Sequence, residues 1–141
     1  MKLFKAASKN CPCESGKTYG TCCKLYHIGL PNHVFAPSAE ALMRARYSAF
    51  VLALEDYLLK TWHPETRPMQ LDLANDENMI KWLGLQVKQH QVLTKSTATV
   101  EFIAHYKMAN NTDVKALRHH EISQFIKINL QWFYLDGKTM N

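Results

Sequence analysis

No stretch of this 141-residue chain approaches the ~20 consecutive apolar residues that span a bilayer. Its start, Met1-Lys2-Leu3-Phe4-Lys5, lacks the apolar run of a secretory leader. The cytoplasm is therefore the expected compartment, where thiols stay reduced and clustered cysteines bind metal more often than they cross-link. Runs of five or six like charges are missing too. The formal charge of +5 is spread over Lys2, Lys5, Lys9, Lys17 and Lys24, then Arg44, Arg46 and Arg67, then Arg118. Charge alone thus gives only a weak hint of an acidic partner. Internal repeats and low-complexity segments are absent, and cysteine is absent beyond residue 30.

What is present before residue 30 is a cysteine cluster: Cys11 and Cys13, eight residues, then Cys22 and Cys23. Zinc favours tetrahedral sulfur and nitrogen ligands, and its structural sites use four protein ligands with no open position. Pro12 stiffens the first pair, Ser15-Gly16-Lys17 permits a tight reversal, and Gly20 adds freedom before the second pair. Backbone N–H groups in that turn can donate to the thiolates. So small a segment buries too little apolar surface to fold alone, so metal binding would supply its folding energy. Disulfides or free thiols are the alternative in an oxidising setting. His27, four residues beyond Cys23, is an alternative fourth ligand. A reactive thiol centre fits less well, because a saturated tetrahedral site has no open position.

Hydrophobic residues make up 47% of the chain, enough for a real core. Residues 30–37 carry two prolines and read as a linker between a zinc-binding module at 8–29 and a larger domain at 38–141. Ser38 is the expected N-cap of a helix with Glu40 in its first turn and Met43, Tyr47, Phe50 and Leu54 on one face. Glu55 and Asp56 start a second short helix with Leu58, Leu59 and Trp62 on its buried side, stopped by Pro64. Asp76 is expected to cap a third helix through Met79, Ile80 and Leu83, ended by Gly84. From Leu85 the period changes to two. Val100, Phe102, Ala104 and Tyr106 share one face of a strand, Asn110-Asn111 signals a turn, and alternation resumes from Val114 to Ile128. A last strand, Gln131 to Leu135, is expected to end at Asp136-Gly137. Helices followed by a meander of about four antiparallel strands indicate an α+β domain, with helices on one face of a curved sheet.

The run Cys11-Pro12-Cys13-Glu14-Ser15-Gly16-Lys17-Thr18-Tyr19-Gly20-Thr21-Cys22-Cys23 resembles the SEC-C motif, the zinc module at the C-terminus of the preprotein-translocase motor SecA and in other bacterial proteins. Glu14 departs from it, standing where the motif usually has glycine. Four further segments lie along the larger domain: Leu42 to Phe50, Tyr57 to Pro64, Trp82 to Leu85 and Trp132 to Gly137. Together with Val100-Glu101-Phe102 they are similar to the YchJ-like family of uncharacterised bacterial proteins. That resemblance covers nearly the whole chain. It implies an N-terminal SEC-C module followed by a cone-shaped α+β domain of the nuclear transport factor 2-like fold. Some members carry a second SEC-C module at the C-terminus; no second cysteine cluster occurs in this sequence.

The implied fold encloses a cavity open at one end. Its candidate lining is His119, Glu121 and Ser123, if Leu117 and Phe125 point inward, with Tyr47, Trp62, His63 and Trp132 from the helices and last strand. A carboxylate beside a histidine in an apolar cavity can transfer protons. The plainer expectations are that Glu121 pairs with Arg44 or Arg46, that His63 caps helix C-terminal carbonyls, and that Tyr47 and Trp132 are core aromatics. At least one of Arg44 and Arg46 should be exposed. The functional expectation is a non-enzymatic adaptor holding structural Zn²⁺ through Cys11, Cys13, Cys22 and Cys23. Its module would contact protein, or RNA, through Lys9, Lys17, Lys24 and Tyr19, and the larger domain would bind a small ligand or form a homodimer through its sheet. The competing expectation is a small-molecule enzyme, a hydrolyase or isomerase, with Glu121 or His119 as base.

Overall fold

Two 3-10 turns, Tyr19–Thr21 and Leu30–Asn32, bracket a seven-residue helix, α1 (Cys23–Gly29). These elements belong to a computed structural model that describes residues 9–73, 80–108 and 115–140. Ser38 then lies in extended backbone, and its hydroxyl accepts the Ala41 N–H at 3.0 Å. One orphan donor of helix α2 (Ala39–Val51) is thereby satisfied, a cap that contributes about 1 kcal/mol. Leu42, Met43, Ala45, Tyr47 and Ala49 of α2 are buried. Leu54 does not extend that face: the helix ends at Val51, Ala53 turns at φ 57°, and Leu54 precedes helix α3 (Glu55–Lys60). Glu55 and Asp56 sit in the first turn of α3, where the helix dipole favours negative charge. No helix among the described residues is long and apolar enough to cross a membrane.

The rest is one antiparallel sheet in sequential order: β1 (Ile80–Val92), β2 (Thr97–Met108), β3 (Leu117–Ile128) and β4 (Gln131–Met140). Alternation holds on β2, where Ala98, Val100, Phe102 and Ala104 are buried on one face. That face and the buried side of α2 enclose the core, with Leu42, Leu58 and Val100 fully covered. Each such side chain contributes roughly 1.5–3 kcal/mol by burial. The buried Cys11, Cys13 and Cys23 join the same core, so the cysteine loop packs directly on α2.

Two expectations about the sheet fail. Ile80 to Gly84 form strand, not the end of a helix; Asp76 and Met79 lie outside the described residues. The cause is a pair of register shifts. Leu83 and Lys88 are skipped between Trp82/Gly84 and Val87/Gln89, so the inward residues Trp82, Leu85, Val87 and His90 follow spacings of three, two and three. A spacing of three reads as helical, and Ile80 and Leu83, which carried the helical expectation, share that spacing but are both exposed in the strand. Second, β4 does not stop at Asp136-Gly137 but pairs Gly137 with Ser123 and continues to Met140. The Asn110-Asn111 turn and Val114 lie outside the described residues.

The segment after α3 is fastened to β4. Tyr134 donates its N–H to the Thr61 carbonyl at 2.9 Å, and His63 donates to the Tyr134 carbonyl at 2.8 Å. This isolated parallel bridge brings Trp62 beside Tyr134.

Candidate metal centre and cavity

A short antiparallel contact holds the first cysteine pair. Tyr19 donates its N–H to Lys9 O, Cys11 donates to Lys17 O at 2.8 Å, and Asn10 bridges Thr18. Between them the chain reverses through Glu14 at φ 61° and Gly16 at φ 88°. The second pair comes from the start of α1, with Cys22 at the N-cap and Cys23 the first residue. A helix start favours thiolate over thiol.

The four Sγ atoms all lie within 4.8 Å of one another, with Cys13–Cys22 at 3.6 Å and Cys22–Cys23 at 4.0 Å. Tetrahedral zinc with ~2.3 Å bonds to sulfur needs sulfurs about 3.8 Å apart, whereas a disulfide needs ~2.05 Å. Cys11, Cys13 and Cys23 are 3%, 0% and 1% exposed, leaving Cys22 as the partly accessible member. Hydrogen bonds from Cys13 and Cys23 hold Cys11 far below the ordinary thiol range, while contacts with Cys11 and Cys13, then burial, push Cys23 far above it. Thiols packed this closely cannot all ionise beside one another; a divalent cation among them removes that conflict. The donor set therefore fits a metal ion.

His27 is not part of this set. Its Nδ1 lies 2.7 Å from the Tyr19 hydroxyl and its Nε2 2.8 Å from the Ala45 carbonyl, so both ring nitrogens are occupied. The surrounding shell comes from α2. Ser48 Oγ lies 3.5 Å from Cys11 Sγ, and Arg44 Nη1 donates to the Cys13 carbonyl at 2.7 Å. Arg44 also pairs with Glu40 at 3.0 Å. From the loop itself, Ser15 Oγ lies 3.1 Å from Cys22 Sγ.

On the other side of α2 lies a cavity of about 230 Å³. Tyr47, Trp62, His119, Glu121 and Ser123 line it, as the sequence suggests, together with Phe125. At its polar wall the Glu121 carboxylate lies 2.8 Å from His119 Nε2 and accepts hydrogen bonds from Ser123 Oγ at 2.5 Å and Tyr134 OH at 3.1 Å. Burial alone would raise Glu121, but hydrogen bonds from His119 and Ser123 outweigh it and hold the carboxyl below its usual range. The same bond to Glu121 outweighs burial at His119 and raises its imidazole. Gly137 makes this possible: a Cβ there would fall 2.0 Å from Glu121 Oε2 and 2.3 Å from Cδ.

The expected Glu121–arginine pair does not form. Arg44 faces the cysteine loop, and Arg46, only 5% exposed, donates Nη1 to Leu58 O at 2.7 Å and Thr61 Oγ1 at 2.8 Å. Its guanidinium lies 4.9 Å from the Trp62 ring centre and 4.7 Å from that of Tyr134. Neither arginine is exposed, contrary to the helical-spacing argument, because α2 is covered on two sides. His63 caps no carbonyl: its Nδ1 accepts the Glu65 N–H, and Arg67 takes the Trp62 carbonyl. His63 lies outside the cavity beside Phe133, and Trp132 packs in the apolar core under Lys127. Leu117, one of the two conditions for that lining, is 41% exposed at the start of β3. Sequence reasoning missed Arg46, Trp82 and Tyr134 as cavity walls. The two-residue step from Trp132 along its strand would have found Tyr134; Trp82 was hidden by the misread strand.

The sequence profile of the YchJ middle NTF2-like domain matches residues 38–137. The chain belongs to the YchJ-like family. Its match begins at the N-cap Ser38 and takes in α2, α3 and most of the sheet. Matches to relatives of this YchJ-like chain extend over the region of the cysteine loop as well. A UPF0225 protein of Bordetella pertussis is 45% identical over 137 residues, covering 97% of this chain and 98% of its own. A UPF0225 protein of Chromobacterium violaceum is also 45% identical, at 97% and 98%. Two solved structures share the architecture. The crystal structure of a SEC-C motif containing protein from Psychrobacter arcticus superposes with a TM-score of 0.78 at 35% identity, covering 97% of this chain and 86% of that one. The solution structure of a SEC-C motif containing protein from Rhodopseudomonas palustris gives 0.77 at 36%, covering 94% and 99%.

Proposed function

We propose that this YchJ-like chain is a zinc-fastened, non-enzymatic adaptor that contacts an acidic protein surface through its cysteine module. The observation that carries the zinc reading is the set of four sulfurs within 4.8 Å, three of them buried. Four sulfur donors in a closed tetrahedron suit zinc among available divalent metals and leave no position for substrate. Bound there, zinc would supply folding energy to a segment too small to fold alone. Cys11 and Cys13 would then be tied to Cys22 and Cys23, with Arg44 and Ser48 holding the loop on α2.

The contact surface is the outer side of α1. Leu25 and Ile28 are 46% and 64% exposed there. Lys9, Lys17 and Lys24 belong to the same module, and residues 15–33 contain no carboxylate. Its one acid, Glu14, is engaged with β1. Apolar side chains in a purely cationic setting favour a partner with an apolar and acidic face.

Affinity capture from lysate tests this with two variants and a chelator. Capture of a nuclease-resistant protein should be lost on Leu25→Glu with Ile28→Glu and after chelation, and kept in Ala104→Phe. Capture that survives both the double substitution and metal removal overturns the reading, as does capture that nuclease abolishes.

One observation favours a second reading, proton transfer in the cavity. His119 is oriented by Glu121 at 2.8 Å, as a general base would be. Glu121 itself is a poor base, since three donors stabilise its anion. Turnover that fails in His119→Gln yet persists in Leu25→Glu would support that reading.

A further inference from the structure

The wall of the cavity holds a cation with no ion-paired carboxylate and an N–H group with no acceptor among the described residues. Arg46 is almost wholly buried, and its recorded partners are a carbonyl, a hydroxyl and two rings. No carboxylate forms an ion pair with it among the described residues. Trp62, on the same wall, carries a buried indole Nε1 with no hydrogen-bond partner among the described residues. Indole N–H is a donor only, and guanidinium has five donors and no acceptor. A buried cation without a counter-ion and a buried donor without an acceptor are both unfavourable until something supplies negative charge and lone pairs. The one acid of the wall, Glu121, acts on Arg46 only through space, and its carboxylate is engaged by His119, Ser123 and Tyr134.

The remaining surface is aromatic. Trp82 lies edge-on to Tyr47 at 5.8 Å and tilted to Phe50 at 5.9 Å, with Phe102 and Phe125 across from them on the sheet. Rings meeting at such angles leave flat apolar faces for a further ring. The volume of about 230 Å³ falls below the ~300–1,000 Å³ of pockets for drug-sized ligands and corresponds to about eight waters at liquid density. It suits one ring with one polar head.

We propose that the cavity is a binding site for a small aromatic monocarboxylate, its ring among Phe50, Trp82 and Phe102 and its carboxylate opposite Arg46 and the Trp62 N–H. The site lies on the opposite side of α2 from the cysteines and does not depend on the adaptor reading.

The test uses the full, metal-loaded chain and three probes of one shape: benzoate, benzamide and benzylammonium. Calorimetry and two-dimensional NMR should give benzoate an affinity at least about tenfold above benzamide, with no saturable binding of benzylammonium. The Trp62 indole N–H resonance should move as benzoate saturates. In Ala104→Phe, which fills the cavity from β2, benzoate binding should fall by at least about tenfold, in a chain whose circular dichroism and metal content match the parent. Benzoate binding no tighter than benzamide overturns the proposal. So do benzoate shifts confined to residues outside the cavity, or binding that Ala104→Phe leaves intact. The probe series on the unaltered chain decides the matter even if Ala104→Phe fails to fold.

Discussion

The carboxylate of Glu14, in the cysteine loop, accepts the backbone N–H of Leu85 on β1. Its own backbone stands at φ 61°, in the left-handed region that favours glycine. The sequence departs here from the glycine usual in the motif it resembles. The structure supplies the reason: the side chain ties the loop to the sheet, and its bond offsets the backbone strain. Gly84 belongs to the same contact, since a Cβ there would lie 2.8 Å from Glu14 Oε2.

Two substitutions separate these effects. Glu14→Ala removes the tie and keeps the strain, so urea denaturation should show a loss of about 1–2 kcal/mol. Glu14→Gly removes both and should lose less than Glu14→Ala. Equal losses would mean that the positive φ carries no strain.

Zinc content and stability should fall together. Elemental analysis should find one zinc per chain. Cys13→Ser, at a position fully buried, should abolish it. Calorimetry should then show Tm lowered by more than about 10 °C, given ~3–4 °C per kcal/mol for a chain of this length. A chain that binds no metal yet melts like the parent would contradict the fastening role.

Glu121 and His119 titrate as a pair with opposite displacements. The depressed carboxyl contributes stability that is complete above the ordinary carboxylate range and is lost as pH falls through its lowered value. The raised imidazole contributes stability that is complete below the ordinary imidazole range and is lost as pH rises through its raised value. Stability should therefore be highest between those two ranges. Read by NMR, Glu121→Gln should lower the pH at which the His119 ring resonances titrate, because burial then acts on the imidazole unopposed. An unchanged His119 titration would show that the bond between them is not made in solution.

Gly137→Ala should displace Glu121 rather than only stiffen β4, because the new methyl would occupy the carboxylate's position. Overpacking of this kind costs about 1–3 kcal/mol. The variant should also lower the His119 pKa, a readout that a merely stiffened strand would leave alone.

The sequence was most readable where the physics is local. Four cysteines within thirteen positions announce a ligand set, Ser38 announces a cap, and β2 alternates from Thr97 to Phe102 because one of its faces packs on the core. Reading failed where distant segments decide. The skipped residues Leu83 and Lys88 turn a strand's period into a helix-like one, and only pairing with β2 reveals it. Asp136-Gly137 looked like a turn, yet glycine is there to make room for a side chain on the neighbouring strand. The burial of Arg46 depends on Leu58, Thr61, Trp62 and Tyr134, none of which its helical spacing can announce.

Among the described residues β1 pairs on one side only, and an open strand edge is a template for aggregation. Here that edge carries Lys81 and Lys88, is bent twice by its skipped residues, and has its Leu85 amide already occupied by Glu14. A foreign strand seeking to extend the sheet at β1 would meet charge, the wrong curvature and a plugged hydrogen-bond donor, so the features that defeated periodicity also disfavour pairing at that edge.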